Sequence, residues 1–266
     1  MRRTEERNPK AARLSSLTTR EILELMNDED ATIPLAVRAA LPRIERAVEA
    51  ILDAIGAGGR VRYVGAGTSG RLGVLDASEW PPTFGVEPDT ARGIIAGGDR
   101  ALRESIEGAE DDPSAGERDL RAAAHGGDAV VGISASGRAP YVRGALAAAR
   151  ALGARTIAIT CDPASPLATE AEIAIAIDVG PEIVAGSSRL KAGTATKLVL
   201  NMLSTAAMVR LGRTRDDLMA DLRAVNAKLR ERAVRIVATE AGVPETDAQD
   251  RLERSDWDIR KAIALR

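Results

Sequence analysis

The sequence predicts an α/β protein: a five-stranded parallel sheet with helices on both faces, preceded by a helical N-terminal section and followed by a small three-helix cap. Three observations lead there. Five short β-rich runs recur between residues 60 and 180, with helical or loop segments between them that serve as crossovers. Each run is apolar on both faces, as a strand buried between two helical layers must be. Only Trp80, Trp257, Tyr63, Tyr141 and Phe84 are aromatic among 266 residues, so the core that joins the layers is aliphatic.

Residues 1–18 are polar, contain Pro9 and show no apolar period, so they read as an arm that orders only against another surface. In SLTTREILELMNDED a Ser or Thr cap precedes Glu21, and Ile22, Leu23, Leu25 and Met26 recur at helical spacing. AVRAALPRIERAVEAILDAIGAGG repeats that pattern and stops at Gly56 and Gly58. RVRYVGAGTSG is a strand running into a glycine loop, and RLGVLDASEW resumes as helix. GIIAGG, DAVVGISASG, RTIAITCD and EIAIAIDVG supply the other four strands. KAGTATKLVLNMLSTAAMVRLG is apolar on most sides, as a helix buried in a domain or a subunit interface would be. From Lys228 onward, breaks at Gly242-Val243-Pro244 and Ser255-Asp256 divide the chain into three short helices. The expected organisation is 1–55 as arm and helices, 56–225 as the α/β domain and 226–266 as the cap.

Composition narrows the function. With 37 Lys plus Arg against 39 Asp plus Glu the net charge is −2, which argues against a nucleic-acid partner. No window reaches the roughly 20 uncharged apolar residues of a membrane span, and the charged N-terminus has no apolar core of a signal peptide, so no membrane association is expected. One cysteine, Cys161, leaves no intrachain disulfide and fits a cytoplasmic protein. One histidine, His125, lies in the turn-like AAAHGGD and has no companion for a zinc motif or a Ser-His-Asp relay, so no metal and no cofactor are expected.

The chemistry-bearing segments are three hydroxyl-rich loops. Gly65-Ala66-Gly67-Thr68-Ser69-Gly70 matches the dinucleotide pattern GxGxxG, yet Thr68 and Ser69 stand where a pyrophosphate needs open backbone. Asp99, the acid after the second strand, also comes too late for a ribose. Hydroxyls and free N–H groups at a helix start suit a phosphate monoester instead. Ser134-Ala135-Ser136-Gly137-Arg138 follows the third strand in the same way, and loops after strands one and three flank a switch point where one ligand would meet both. Ser187, Ser188 and Lys191 in GSSRLKAGT add hydroxyls and cations. Expected phosphate contacts are therefore Gly67, Thr68, Ser69, Ser134, Ser136, Gly137, Ser187, Ser188 and Lys191. Glu79 and Glu110 are the candidate acid-base groups, because the chain offers no usable His or Cys; spacing alone leaves either as an ordinary solvated glutamate.

Longer matches add what spacing cannot. TEERNP, LTTREILELMNDED, GAGTSGRLGVLDASEWPPTFG, IAGGDRALRESIEGAEDD, VVGISASGRAPYV, GSSRLKAGTATKLVLNMLSTAAM and NAKLRERA together resemble the N-acetylmuramic acid 6-phosphate etherase family over nearly the whole chain. The resemblance implies a sugar isomerase (SIS) fold, a three-layer α/β/α sandwich, in a homodimer without metal or redox cofactor. It also implies cleavage of the ether between the sugar C3 and D-lactate, by elimination and then addition of water through an unsaturated open-chain aldehyde. In that family the acidic pair falls on Glu79 in DASEWPP and Glu110 in EGAEDD, with Glu79 protonating the lactyl oxygen and Glu110 assisting proton abstraction or ring opening. Trp80, Ala139 and Thr196 depart from the family's usual Cys, Thr and Gln, which bears on the pocket rim. The C-terminal unit, similar to a ubiquitin-associated three-helix fold, is expected to be minimal. Three other readings stand beside this one: a non-catalytic sugar-phosphate regulator like glucokinase regulatory protein, a phosphosugar isomerase, and a nicotinamide oxidoreductase.

Overall fold

Val61–Gly65 (β1) is buried at every residue, and the computed structural model, which describes residues 3–219, 221–222, 224 and 226–265, sets it inside a five-stranded sheet. Ala91–Ile95 (β2) pairs with it on one side and Ala129–Ile133 (β3) on the other. Arg155–Thr160 (β4) and Ile173–Ala176 (β5) follow, all parallel, in the order β2-β1-β3-β4-β5. The order reverses between β1 and β3, so the chain departs from their carboxyl ends in opposite directions and opens a crevice there.

Three helices precede the sheet. Thr19–Asp30 (α1) starts in a reciprocal cap: the Thr18 hydroxyl accepts from the Glu21 N–H at 3.3 Å, and the Glu21 carboxylate accepts from the Thr18 N–H at 2.7 Å. Ile33–Ala39 (α2) and Leu41–Gly56 (α3) divide the single helical pattern of the sequence, with Pro42 in the first turn of the second. The crossovers contain Gly67–Phe84 (α4), Pro113–Ala123 (α5), Pro140–Leu152 (α6) and Pro166–Glu170 (α7). Lys191–Arg210 (α8) follows the sheet, and Ala227–Ala241 (α9), Glu245–Arg254 (α10) and Ile259–Ala264 (α11) end the described chain.

Alternation along the strands sorts the helices into two layers. Tyr63, Val131, Ile157 and Ile175 point into one core with α2, α3, α4 and α8, whereas Val64, Val130 and Ala158 point into a second with α5, α6 and α7. Helices α2 and α3 are thus part of the sandwich. Around Leu222, helices α9 to α11 close a small core of their own. Among the described residues, no helix is long and apolar enough to cross a membrane.

The N-terminal arm finds its surface on the same chain. Thr4 and Asn8 are buried; the Gly186 N–H donates to the Thr4 carbonyl, and the Asn8 amide donates to Glu29 and to the Pro181 carbonyl. Helix α1, by contrast, buries only Glu29. Its Leu23 is exposed, as are Leu35, Leu75, Met202 and Val209 on α2, α4 and α8.

Candidate active site

The glycine loop after β1 is mostly the first turn of a helix. Sequence spacing started that helix beyond Gly70, but α4 begins at Gly67, because Gly67 adopts φ +54° and lets the chain turn at once. Gly65 and Gly70 are needed as glycines for a second reason: a Cβ on either would approach backbone of the other to 2.8 Å or less. Ala66 cannot cap this helix with its side chain, so the first-turn N–H groups beside Thr68 and Ser69 remain available to an anion.

A cavity of about 260 Å³ forms over this helix end. Gly67, Thr68 and Ser69 line it from β1–α4, Ser134 and Ser136 from the loop after β3, Ser188 from the segment before α8, and Glu110 from the turn Ala109–Asp111. Glu110 and Gly67 are shared with a second cavity of about 320 Å³. That turn is held from both sides. Asp112 caps α5 by accepting from the Ser114 and Ala115 N–H groups, and these bonds, chiefly that from Ala115, hold its carboxyl below the ordinary range. Arg71 on α4 donates to the carbonyls of Leu102 at 3.2 Å and Glu104 at 3.0 Å, a clamp on the loop ahead of Glu110 that spacing gave no sign of.

Four expected residues lie off the cavity wall. Gly137 has φ +62°, and a Cβ there would fall 2.1 Å from Ser165 Oγ; it shapes the serine loop from beneath. Ser187 turns its N–H to the Val184 carbonyl in the segment that presents Ser188. Lys191 is 3% exposed and donates to Glu29 at 2.6 Å, so it is a buried ion-pair partner rather than a phosphate ligand. The reason lies at the start of α8, where the Glu182 carboxylate accepts from the Lys191 and Ala192 N–H groups and fills the helix end an anion would need. Among the described residues, the cavity wall therefore has no Lys or Arg, and what it offers an anion is the α4 terminus and the hydroxyls.

Glu79 is the fourth. It stands ten residues beyond Ser69, about 15 Å along the helix, and its side chain is exposed. The single chain does not bring Glu79 and Glu110 to one cavity wall. Beside it, Trp80 is buried and donates to Asp76 at 3.1 Å, while Ser204 on α8 donates to the other Asp76 oxygen at 3.0 Å. Burial pushes the Asp76 carboxyl up, against these bonds. Of the three departures, Ala139 lines the cavity, whereas Trp80 and Thr196 are buried in the core.

Two carboxyl-bearing or polar wall residues went unnoticed in the sequence: Thr4 and Glu5, contributed by the arm. Cys161 is buried, and burial followed by the charges of Glu182 and Asp178 pushes its thiol up to about 12. Among the described residues, no group of three or more His, Cys, Asp or Glu side chains is arranged to hold a metal ion.

Family models match this chain in two places: the glucokinase regulatory protein N-terminal SIS domain over residues 43–150, and the SIS domain over residues 113–206. N-acetylmuramic acid 6-phosphate etherase of Pectobacterium atrosepticum is 52% identical over 263 residues, covering 98% of this chain and 87% of that protein. Among solved structures, a phosphoheptose isomerase from Neisseria gonorrhoeae aligns with a TM-score of 0.57 at 19% identity, over 71% of this chain and 98% of its own. The Vibrio vulnificus NanR protein complexed with ManNAc-6P aligns at 0.52 and 14% identity, over 73% of this chain and 65% of its own. At such identities the two structures speak for the fold.

Proposed function

The chain belongs to the N-acetylmuramic acid 6-phosphate etherase family, and on that premise we propose that it converts N-acetylmuramic acid 6-phosphate and water into N-acetylglucosamine 6-phosphate and D-lactate. One observation carries the reading at the site: Glu110 faces the same 260 Å³ cavity as Thr68, Ser69, Ser134 and Ser136, so a carboxylate stands within one small molecule's length of an anion seat. The phosphate docks on the first turn of α4 and the hydroxyls. The open-chain aldehyde then acidifies the C2 proton, a carboxylate removes it, and the C3–oxygen bond breaks as a second carboxylate protonates the departing lactate. Water adds to C3 of the unsaturated aldehyde, and a solvent proton returns to C2. Glu110 takes the base or ring-opening part, and Glu79 protonates lactate and then activates the water.

Since Glu79 is exposed and distant in its own protomer, a second copy supplies it. Leu75 precedes it by one turn on the same face of α4 and is 44% exposed, and Leu35 and Val209 add further uncovered apolar surface at 68% and 46%. Together with the unburied apolar face of α1, this favours an isologous homodimer. The substrate's origin in bacterial cell wall and the buried, unpaired Cys161 suit an amino-sugar recycling enzyme of the cytoplasm.

Turnover in deuterium oxide tests the reaction and its route. D-lactate should be released, and the sugar product should carry deuterium at C2; product that keeps its original C2 hydrogen excludes elimination. A phosphosugar isomerase or a regulator releases no lactate. Calorimetry tests the anchor: Ser69→Ala or Ser136→Ala should each weaken binding of N-acetylglucosamine 6-phosphate by about 1.5–3 kcal/mol, the usual worth of a hydrogen bond to a charged group. Equal affinity of the wild-type protein for the phosphorylated and unphosphorylated sugars would contradict a phosphate-anchored site.

A further inference from the structure

The arm brings a second carboxylate to a cavity built for a phosphate. Thr4 and Glu5 line the cavity wall together with Ser188 and Gly186, and the same wall carries Thr68, Ser69 and Glu110. The placement is fixed by several independent contacts. The Thr4 carbonyl accepts from the Gly186 N–H at 3.1 Å, and Asn8 bonds both Glu29, at 2.8 Å, and the Pro181 carbonyl, at 3.2 Å. Glu29 in turn holds Lys191, at the head of α8. Gly186 has φ +78°, and the position a Cβ would take there lies 3.0 Å from Glu5 Oε2, so the glycine leaves room for that carboxylate on the cavity wall.

An ionised carboxylate can only accept hydrogen bonds, and it repels a phosphate dianion. With no Lys or Arg among the described wall residues to neutralise it, Glu5 is unsuited to the phosphate seat itself. A sugar 6-phosphate resolves the conflict. Its phosphate takes the α4 terminus, and its hydroxyl and amide hydrogens are donors at the other end of the same small molecule. Repulsion from Glu5 then keeps the phosphate at the helix, and acceptance of sugar hydrogens rewards only a ligand that carries the polyol chain. We propose that Glu5 is a substrate-binding residue that recognises the donors of the sugar, delivered to the cavity by the N-terminal arm. The inference rests on the sugar-phosphate reading of the cavity and adds to it a reason for selecting sugar phosphate over phosphate.

Calorimetry on the full-length protein and on Glu5→Gln and Glu5→Ala tests it with two probes, N-acetylglucosamine 6-phosphate and inorganic phosphate. The Ala variant should bind the sugar phosphate about tenfold more weakly, as expected for loss of one charge-assisted hydrogen bond. The Gln variant should fall between it and the wild type, because its amide oxygen still accepts. Inorganic phosphate should bind both variants as well as the wild type or better. Unchanged or tighter sugar-phosphate binding in Glu5→Ala would overturn the proposal. A parallel loss of both ligands would overturn it too, since that pattern means Glu5 merely supports the Gly186–Ser188 segment. A wild-type protein that binds no sugar phosphate is a separate result, which rejects the reading of the cavity itself.

Discussion

Glu79→Gln should fold and bind sugar phosphate like the wild type while losing about 10² to 10⁴ in D-lactate release, the usual contribution of a general acid-base group. The amide keeps the shape and hydrogen-bonding capacity of the carboxyl but has no proton to give to a leaving alkoxide. Glu110→Gln should lose turnover on the same scale. The two defects are expected to complement each other. If Glu110 belongs to the protomer that holds the phosphate and Glu79 comes from its partner, a mixed dimer has one site with both glutamines and one with both glutamates. Equal amounts of the two inactive variants, unfolded together and refolded, should regain about a quarter of wild-type turnover, because half of randomly paired dimers are mixed and each has one intact site of two. Were both glutamates drawn from one protomer, no mixed dimer would contain an intact site, and a mixture as inactive as its parents would refute the shared site.

How far this site was legible in the sequence depends on the distance over which each residue acts. Strand β3 could be read because a parallel strand buried on both faces leaves a continuous apolar run, whereas β1 carries the buried Arg62 and is marked instead by Val61, Tyr63, Val64 and the glycines that follow. The reciprocal Thr18–Glu21 cap could be read because it closes within three residues. The glycine loop was found but its helix was begun late, since φ +54° at Gly67 is a backbone property that composition does not display. Arg71 and Glu5 were missed for a different reason. Arg71 acts on carbonyls 31 and 33 residues away, and Glu5 reaches the cavity only after the arm has folded against the segment around Gly186. Lys191 was assigned to phosphate because it sits among serines, and nothing local reveals that its partner lies 162 residues earlier.

That partner gives Lys191 a large and distinguishable effect of its own. Glu29 is buried, which alone would raise its carboxyl, yet hydrogen bonds from Lys10, Lys191 and Asn8 bring it down from 4.5 to about 2. A carboxyl depressed on folding stabilises the protein above its unfolded value and loses that contribution as pH falls through the folded one. Glu29 should therefore add roughly 3 kcal/mol at neutral pH, by the 1.36 kcal/mol that each pKa unit represents, and this should disappear between about pH 4.5 and 2. Lys191→Met removes the buried cation but leaves Glu29 bonded to the exposed Lys10 and the Asn8 amide, so the expected cost falls below the roughly 3–5 kcal/mol of a buried charge left with no partner. Urea denaturation at neutral pH should show that loss directly, and on acidification the variant should lose less further stability than the wild type, since its Glu29 carboxyl is no longer held down by Lys191. Phosphate affinity, measured where the variant is folded, provides the contrast: a protein as stable as the wild type but with weakened phosphate binding would return Lys191 to the anion site and leave the buried pair without energetic meaning.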